Sequence, residues 1–142
     1  MTTISYNHKD KEIAVDSRLT CGGTITSDKQ NKTQIENGVL FIFCGKCCDQ
    51  DLLVDYYFDR NKSNLLPEAS AFVVDRGIAY ALTVSDDGVV NKYKMQHNDA
   101  RGSGEQFALA AMDFGCSAKD AVKYTMTRDI YTGGKIRVIK VK

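Results

Sequence analysis

Once Met1 is removed, as methionine commonly is before a small second residue, Thr2 holds two reactive groups in one residue. A threonine hydroxyl is a weak nucleophile until a base takes its proton. A free α-amine titrates at about 7.7–8.0, close to working pH. Thr2 can therefore supply both nucleophile and base, with a water bridging them. Lys32 near that amine would hold it partly neutral by like-charge repulsion and ease loss of the hydroxyl proton. Asp16 would pair with Lys32 and fix its ammonium. Gly45, at a strand end before a helix, is placed to offer its N–H to a developing oxyanion and permits close approach.

Each of these residues also has an ordinary reading. Thr2 is a commonplace second residue, Asp16 can be a strand-end turn former and Lys32 a solvated surface lysine. Gly102-Ser103-Gly104 can be a helix cap whose N-terminus holds an anion. Asp129 falls near a helix end where the dipole disfavours an acid, so its place there needs a reason.

The five cysteines (Cys21, Cys44, Cys47, Cys48 and Cys116) are an odd number with no secretion signal, which argues for free thiols. Cys44-Gly-Lys-Cys47-Cys48 lacks a second paired cluster, and His8 and His97 stand apart. Buried or half-buried thiols are the expectation there, with no metal and no organic cofactor.

With 142 residues, 43% of them hydrophobic, the chain fits one domain spanning 1–142 with a real core. Lysine and arginine total 19 against 18 acids, so no electrostatic footprint for nucleic acid or for a membrane surface exists. The longest apolar stretch, residues 38–44, is too short to span a bilayer. The N-terminus lacks the basic and apolar regions of a secretory signal, and a cytoplasmic location is expected.

Strands dominate the first half. Residues 3–7 and 12–16 flank a polar turn, and Gly22-Gly23 and Asn37-Gly38 punctuate further extended runs. Residues 39–44 show little polar alternation, as a strand covered on both faces would. From Asp49 the spacing turns helical, with Leu52, Leu53, Tyr56 and Tyr57 as a stripe. Strands return at 71–74, 78–84 and 89–93, with Asp86-Asp87-Gly88 as a hairpin turn. Residues 103–114 predict a helix with Phe107, Ala108, Ala110 and Ala111 as its packing face, ended by Gly115. Ser117 caps a second helix with Asp120 at its third position and Ala118, Ala121, Val122 and Thr125 inward. A last strand follows Gly133-Gly134. This order predicts an α+β fold of two antiparallel sheets with helices packed outside.

Several segments, in order and across nearly the whole chain, resemble the proteasome β subunit and the bacterial HslV peptidase. Thr2-Thr3-Ile4 resembles that family's mature N-terminus. Val15-Asp16-Ser17-Arg18-Leu19-Thr20 is similar to its Ala-Asp-Ser-Arg-Ala-Thr segment, and Lys32 follows Asp16 at the family's interval. Phe43-Cys44-Gly45, Gly102-Ser103-Gly104 and Arg128-Asp129-Ile130-Tyr131-Thr132-Gly133-Gly134 match three further motifs, with Thr132 in place of the usual serine.

The resemblance implies a four-layer αββα sandwich and a threonine-type N-terminal-nucleophile peptidase that cuts peptide bonds through an acyl-enzyme on Thr2. It implies that Ser103, Asp129 and Thr132 hydrogen-bond the Thr2 amine and its water, and that Leu19, Phe43, Lys46 and Cys47 line or border the specificity pocket. The implied partners are a peptide or unfolded-protein substrate, further copies of the chain in a homo-oligomer, and an ATP-driven unfoldase. Two other readings share the fold: a small-amide hydrolase and a non-catalytic subunit. The chain departs from the family between about Arg60 and Ala71, where it is too short for a second long helix. One outer helix is therefore expected to be missing or shortened.

Overall fold

Alternation along the first strand, β1 (Thr3–Asn7), sorts its side chains onto two covered faces. Ile4 and Tyr6 enter an apolar core, while Ser5 Oγ donates to the Ala118 carbonyl at 2.8 Å and Asn7 Nδ2 to that of Cys116 at 3.1 Å. The polar face thus satisfies backbone groups of helical segments, which is why a fully buried strand carries Thr, Ser and Asn. The structure is a computed structural model describing residues 2–142; Met1 lies outside the described residues.

The remaining elements follow as β2 (Glu12–Val15), β3 (Leu19–Cys21), β4 (Thr24–Ser27), β5 (Thr33–Glu36) and β6 (Val39–Gly45). A single 3-10 turn (Cys47–Asp49) then leads into α1 (Gln50–Tyr57), β7 (Ala69–Asp75), β8 (Ile78–Val84), β9 (Val90–Lys94) and β10 (Asp99–Gly102). The chain closes with α2 (Glu105–Asp113), α3 (Ala118–Thr125) and β11 (Arg137–Lys140).

One antiparallel sheet has the order β10-β1-β2-β11 and the other β5-β6-β7-β8-β9, with β3 and β4 as a separate ribbon. Ile4, Tyr6, Ile13 and Val15 of the first sheet meet Ile42, Phe72, Ala79 and Ala81 of the second. Helices α2 and α3 cover the outer face of the first sheet, where Ala14 packs on Ala118 and Val122. Helix α1 covers the second through Leu53 and Val54 against Phe41, Phe43, Val73 and Leu82. The result is the expected α+β sandwich of four layers.

Local chemistry sets the turns. Asn37 and Gly38, both at positive φ (52° and 77°), form the two-residue hairpin between β5 and β6. Ser117 Oγ accepts from the Asp120 N–H at 3.1 Å, capping α3, whose inward face is Ala118, Ala121, Val122 and Thr125. The run in β6 is covered on both faces.

Three expectations need correction. Helix α2 turns Ala108 and Met112 inward, while Phe107 and Ala110 are exposed. The inward stripe of α1 is Leu53, Val54 and Tyr56, with Leu52 and Tyr57 only half-buried. Cys47 and Cys48 are exposed rather than half-buried, because the chain leaves the sheet after Gly45; Cys21 is exposed as well.

Residues 58–68 contain no helix. Lys92 lies 4.2 Å from the Tyr80 ring centre and 4.9 Å from that of Tyr57, and donates to the Tyr57 hydroxyl at 2.9 Å. The Lys92 ammonium thus rests against both rings in a cation–π contact.

Candidate active site

Asp16 leaves the end of β2 completely buried, with all its lone pairs directed at donors. Its Oδ1 accepts from Lys32 Nζ at 2.8 Å and from the Thr3 N–H at 3.3 Å. Its Oδ2 accepts from the Gly133 N–H at 3.0 Å and the Arg18 N–H at 3.4 Å. A buried carboxylate with this many donors is fixed in position. Lys32 is held at the start of the second sheet, where its carbonyl accepts from the Phe43 N–H at 2.9 Å. Burial pushes the Lys32 ammonium below its ordinary value, and Asp16 opposes that shift without cancelling it. The site therefore contains a lysine whose proton is unusually loosely held.

Thr2 is buried just before β1, an inner strand of the first sheet, and its carbonyl accepts from the Ser103 N–H at 2.8 Å. Gly102, directly before, has φ +107°, and any Cβ there would collide with the Thr2 carbonyl. Only glycine lets β10 close against the start of β1. Ser103 Oγ donates to Asp129 Oδ2 at 2.6 Å, and Thr132 Oγ1 donates to the same oxygen at 2.6 Å. The Tyr131 N–H reaches Asp129 Oδ1 at 3.2 Å. Burial disfavours the Asp129 charge, but the bonds from Ser103, Thr132 and the Tyr131 N–H outweigh it and hold the carboxyl below its ordinary value. These donors are the reason an acid is tolerated just beyond the end of α3.

Gly133 ties this segment back to Asp16. Besides its N–H bond, its carbonyl accepts from the Ser17 N–H at 3.0 Å. A Cβ on Gly133 would strike the Arg18 guanidinium, which pairs with Asp28 at 2.8 Å and donates to the Ile130 carbonyl at 2.9 Å. The segments 16–18 and 128–134, far apart in sequence, are thus one hydrogen-bonded unit.

Gly45 ends β6 with φ +93°, and a Cβ there would stand 2.6 Å from the Glu68 carbonyl oxygen. Beside it opens a cavity of about 600 Å³. Thr2, Lys32, Gly45, Leu19, Phe43, Lys46 and Cys47 all line it, so one opening joins the residues that sequence reasoning placed at the chemistry and at the pocket. Asp16, Ser103, Asp129 and Thr132 stand behind, linked to the cavity through Lys32 and Thr2. Met1, whose removal frees the Thr2 amine, lies outside the described residues.

Gln30, Gln50, Glu68 and Tyr131 also line the cavity and had not been singled out. The glutamines and Glu68 carry no sequence signal; Tyr131 lies inside a quoted motif and could have been found there. The rim charge of Lys46 is paired with Glu68 at 3.2 Å. Among the described residues no group of three His, Cys, Asp or Glu is arranged to hold a metal ion, and no helix is long and apolar enough to cross a membrane.

No protein-family model and no curated protein matches the chain. Solved structures do. Eukaryotic HslV from Trypanosoma brucei superposes with a TM-score of 0.74 at 20% identity, covering 97% of this chain and 98% of that one. BPH from Thiobacillus denitrificans in complex with epoxomicin gives 0.74 at 16% identity, covering 99% and 100%. The same protein in a structure described without epoxomicin gives 0.73 at 18%, covering 99% of each chain. At such identities the likeness defines the fold alone: the chain has the α+β sandwich seen in HslV and in BPH. The resemblance read from its motifs holds at that level.

Proposed function

We propose that this chain is a threonine peptidase of the HslV and proteasome type, active once Met1 has been removed. The observation that supports it most is the convergence of Thr2, Lys32 and Gly45 on one cavity, with Lys32 bonded at 2.8 Å to a buried, fully satisfied Asp16. In this reading the Thr2 amine takes the hydroxyl proton through a water, and the hydroxyl oxygen attacks the peptide carbonyl. Lys32, its proton loosened by burial, keeps the amine neutral and assists that transfer. The Gly45 N–H receives the negative charge that develops on the carbonyl oxygen. The amine then leaves with a proton, and water hydrolyses the acyl-enzyme ester. Ser103 and Thr132, ordered by Asp129, hold the Thr2 amine and the water. Leu19, Phe43, Lys46 and Cys47 receive the substrate side chain.

The substrate is a peptide or an unfolded protein, and the partners are further copies of the chain and an ATP-driven unfoldase. Phe107 and Leu109 on α2, and Phe114 beyond its end, expose apolar surface that supports burial against another chain. Five free thiols support a reducing, cytoplasmic compartment. The test is hydrolysis of a short fluorogenic peptide by protein whose first residue is Thr2. Turnover that disappears in Thr2→Ala is expected; equal turnover by Thr2→Ala would refute the proposal.

A further inference from the structure

Thr3 is fully buried, and its hydroxyl lies 2.7 Å from the hydroxyl of Thr132. Proton counting fixes the direction of every bond in this row. Asp129 is an ionised carboxylate and can only accept. Thr132 has one proton and gives it to Asp129 at 2.6 Å, as Ser103 does from the other side. Only lone pairs of Thr132 are left for Thr3, so Thr3 is the donor. Gly104 faces the Thr3 hydroxyl so closely that a Cβ there would collide with it and with Thr125.

From this geometry we infer that Thr3 is a positioning residue for the proposed reaction, acting through Thr132 on the Thr2 amine. The inference rests on the peptidase reading. By donating to Thr132, Thr3 holds that hydroxyl in the one rotation that points its proton at Asp129. One lone pair of Thr132 is then filled and one remains for the Thr2 amine or its water. Donation into Thr132 also strengthens its bond to Asp129 and weakens it as an acceptor for an ammonium. The free-base form of Thr2, the form that can act, is favoured as a result. Thr3 is thereby set apart from Ser5 and Asn7, which share its face of β1 but bond only to backbone groups.

The experiment compares wild type, Thr3→Val and Thr3→Ser, each starting at Thr2, in peptide hydrolysis and in adduct formation with an electrophile that captures N-terminal threonine. Valine keeps the shape and removes the hydroxyl; serine restores it. T3V should lower kcat by about tenfold, the scale of one neutral hydrogen bond, with KM unchanged. The acid limb of its pH profile should move to higher pH. T3S should restore both, and T3V should add nothing in a Thr132→Val background. If T3V does not fold, Thr3→Ala is read in the same way. An unchanged pH limb in T3V, or an equal loss in T3S, would overturn the inference. Absence of any Thr2 adduct in wild type would instead overturn the peptidase reading beneath it.

Discussion

Lys32 Nζ and Asp16 Oδ1 form a 2.8 Å ion pair with side-chain exposures of only 5% and 0%, and the lysine faces the cavity that Thr2 lines. Buried pairs of this kind add little net stability, but breaking one leaves an uncompensated charge. Asp16→Ala should therefore destabilise the fold by about 3–5 kcal/mol. The double variant Asp16→Ala/Lys32→Met should recover only the part due to the stranded Lys32 charge, because the Thr3, Arg18 and Gly133 N–H groups still lack their acceptor, and no activity. Urea unfolding and peptide hydrolysis measured side by side separate the two effects; recovery of activity in the double variant would contradict the role given to Lys32.

Gly45 is constrained twice, by φ +93° and by the Glu68 carbonyl. Gly45→Ala should cost about 1–3 kcal/mol of strain and displace the N–H proposed as oxyanion donor. Loss of such a donor lowers kcat by about a hundredfold or more. A folded G45A protein with wild-type kcat would remove Gly45 from the mechanism.

Asp129 is held below its ordinary carboxylate value, so its folded form binds fewer protons than its unfolded form around that value. Its contribution to stability is present above the ordinary carboxylate range and lost as pH falls through the lowered value. Removing the Ser103 and Thr132 donors raises Asp129 back towards that range. In Ser103→Ala/Thr132→Val the protein should accordingly be less stable near neutral pH and should lose less stability on acidification than wild type. Thermal unfolding between about pH 2 and pH 6 reads the shift; superimposable curves would show that the donors do not set the Asp129 charge.

Phe114 is 94% exposed just beyond α2, where Phe107 and Leu109 are exposed too. If copies of the chain assemble through Phe114, Phe114→Glu should lower the mass seen by light scattering while leaving monomer unfolding unchanged. An unaltered mass would place any assembly elsewhere.

Much of the fold was legible where local chemistry and period agree. The Asn37-Gly38 hairpin, the Ser117 cap and the inward stripe of α3 follow from residue types alone. Strand β10 was not legible, because Asp99-Ala-Arg-Gly102 has no strand pattern and is extended only through its pairing with β1. The face of α2 was misjudged because Phe107 and Ala110 look like core residues, whereas the helix turns Ala108 and Met112 to the sheet. In the site, Asp16, Lys32, Ser103 and Thr132 stood out only through a family resemblance; Asp129 alone carried a local sign, an acid near a helix end. Thr3 could not be found at all, since its partner is Thr132, at the other end of the chain.

The central claim is that Thr2, freed of Met1, is the nucleophile, and the most direct measurement is intact mass before and after an electrophile that captures N-terminal threonine. The account predicts a chain beginning at Thr2 that gains one adduct, with no adduct in Thr2→Ala. A chain that begins at Thr2 and forms no adduct, or a T2A protein that still forms one, would contradict it.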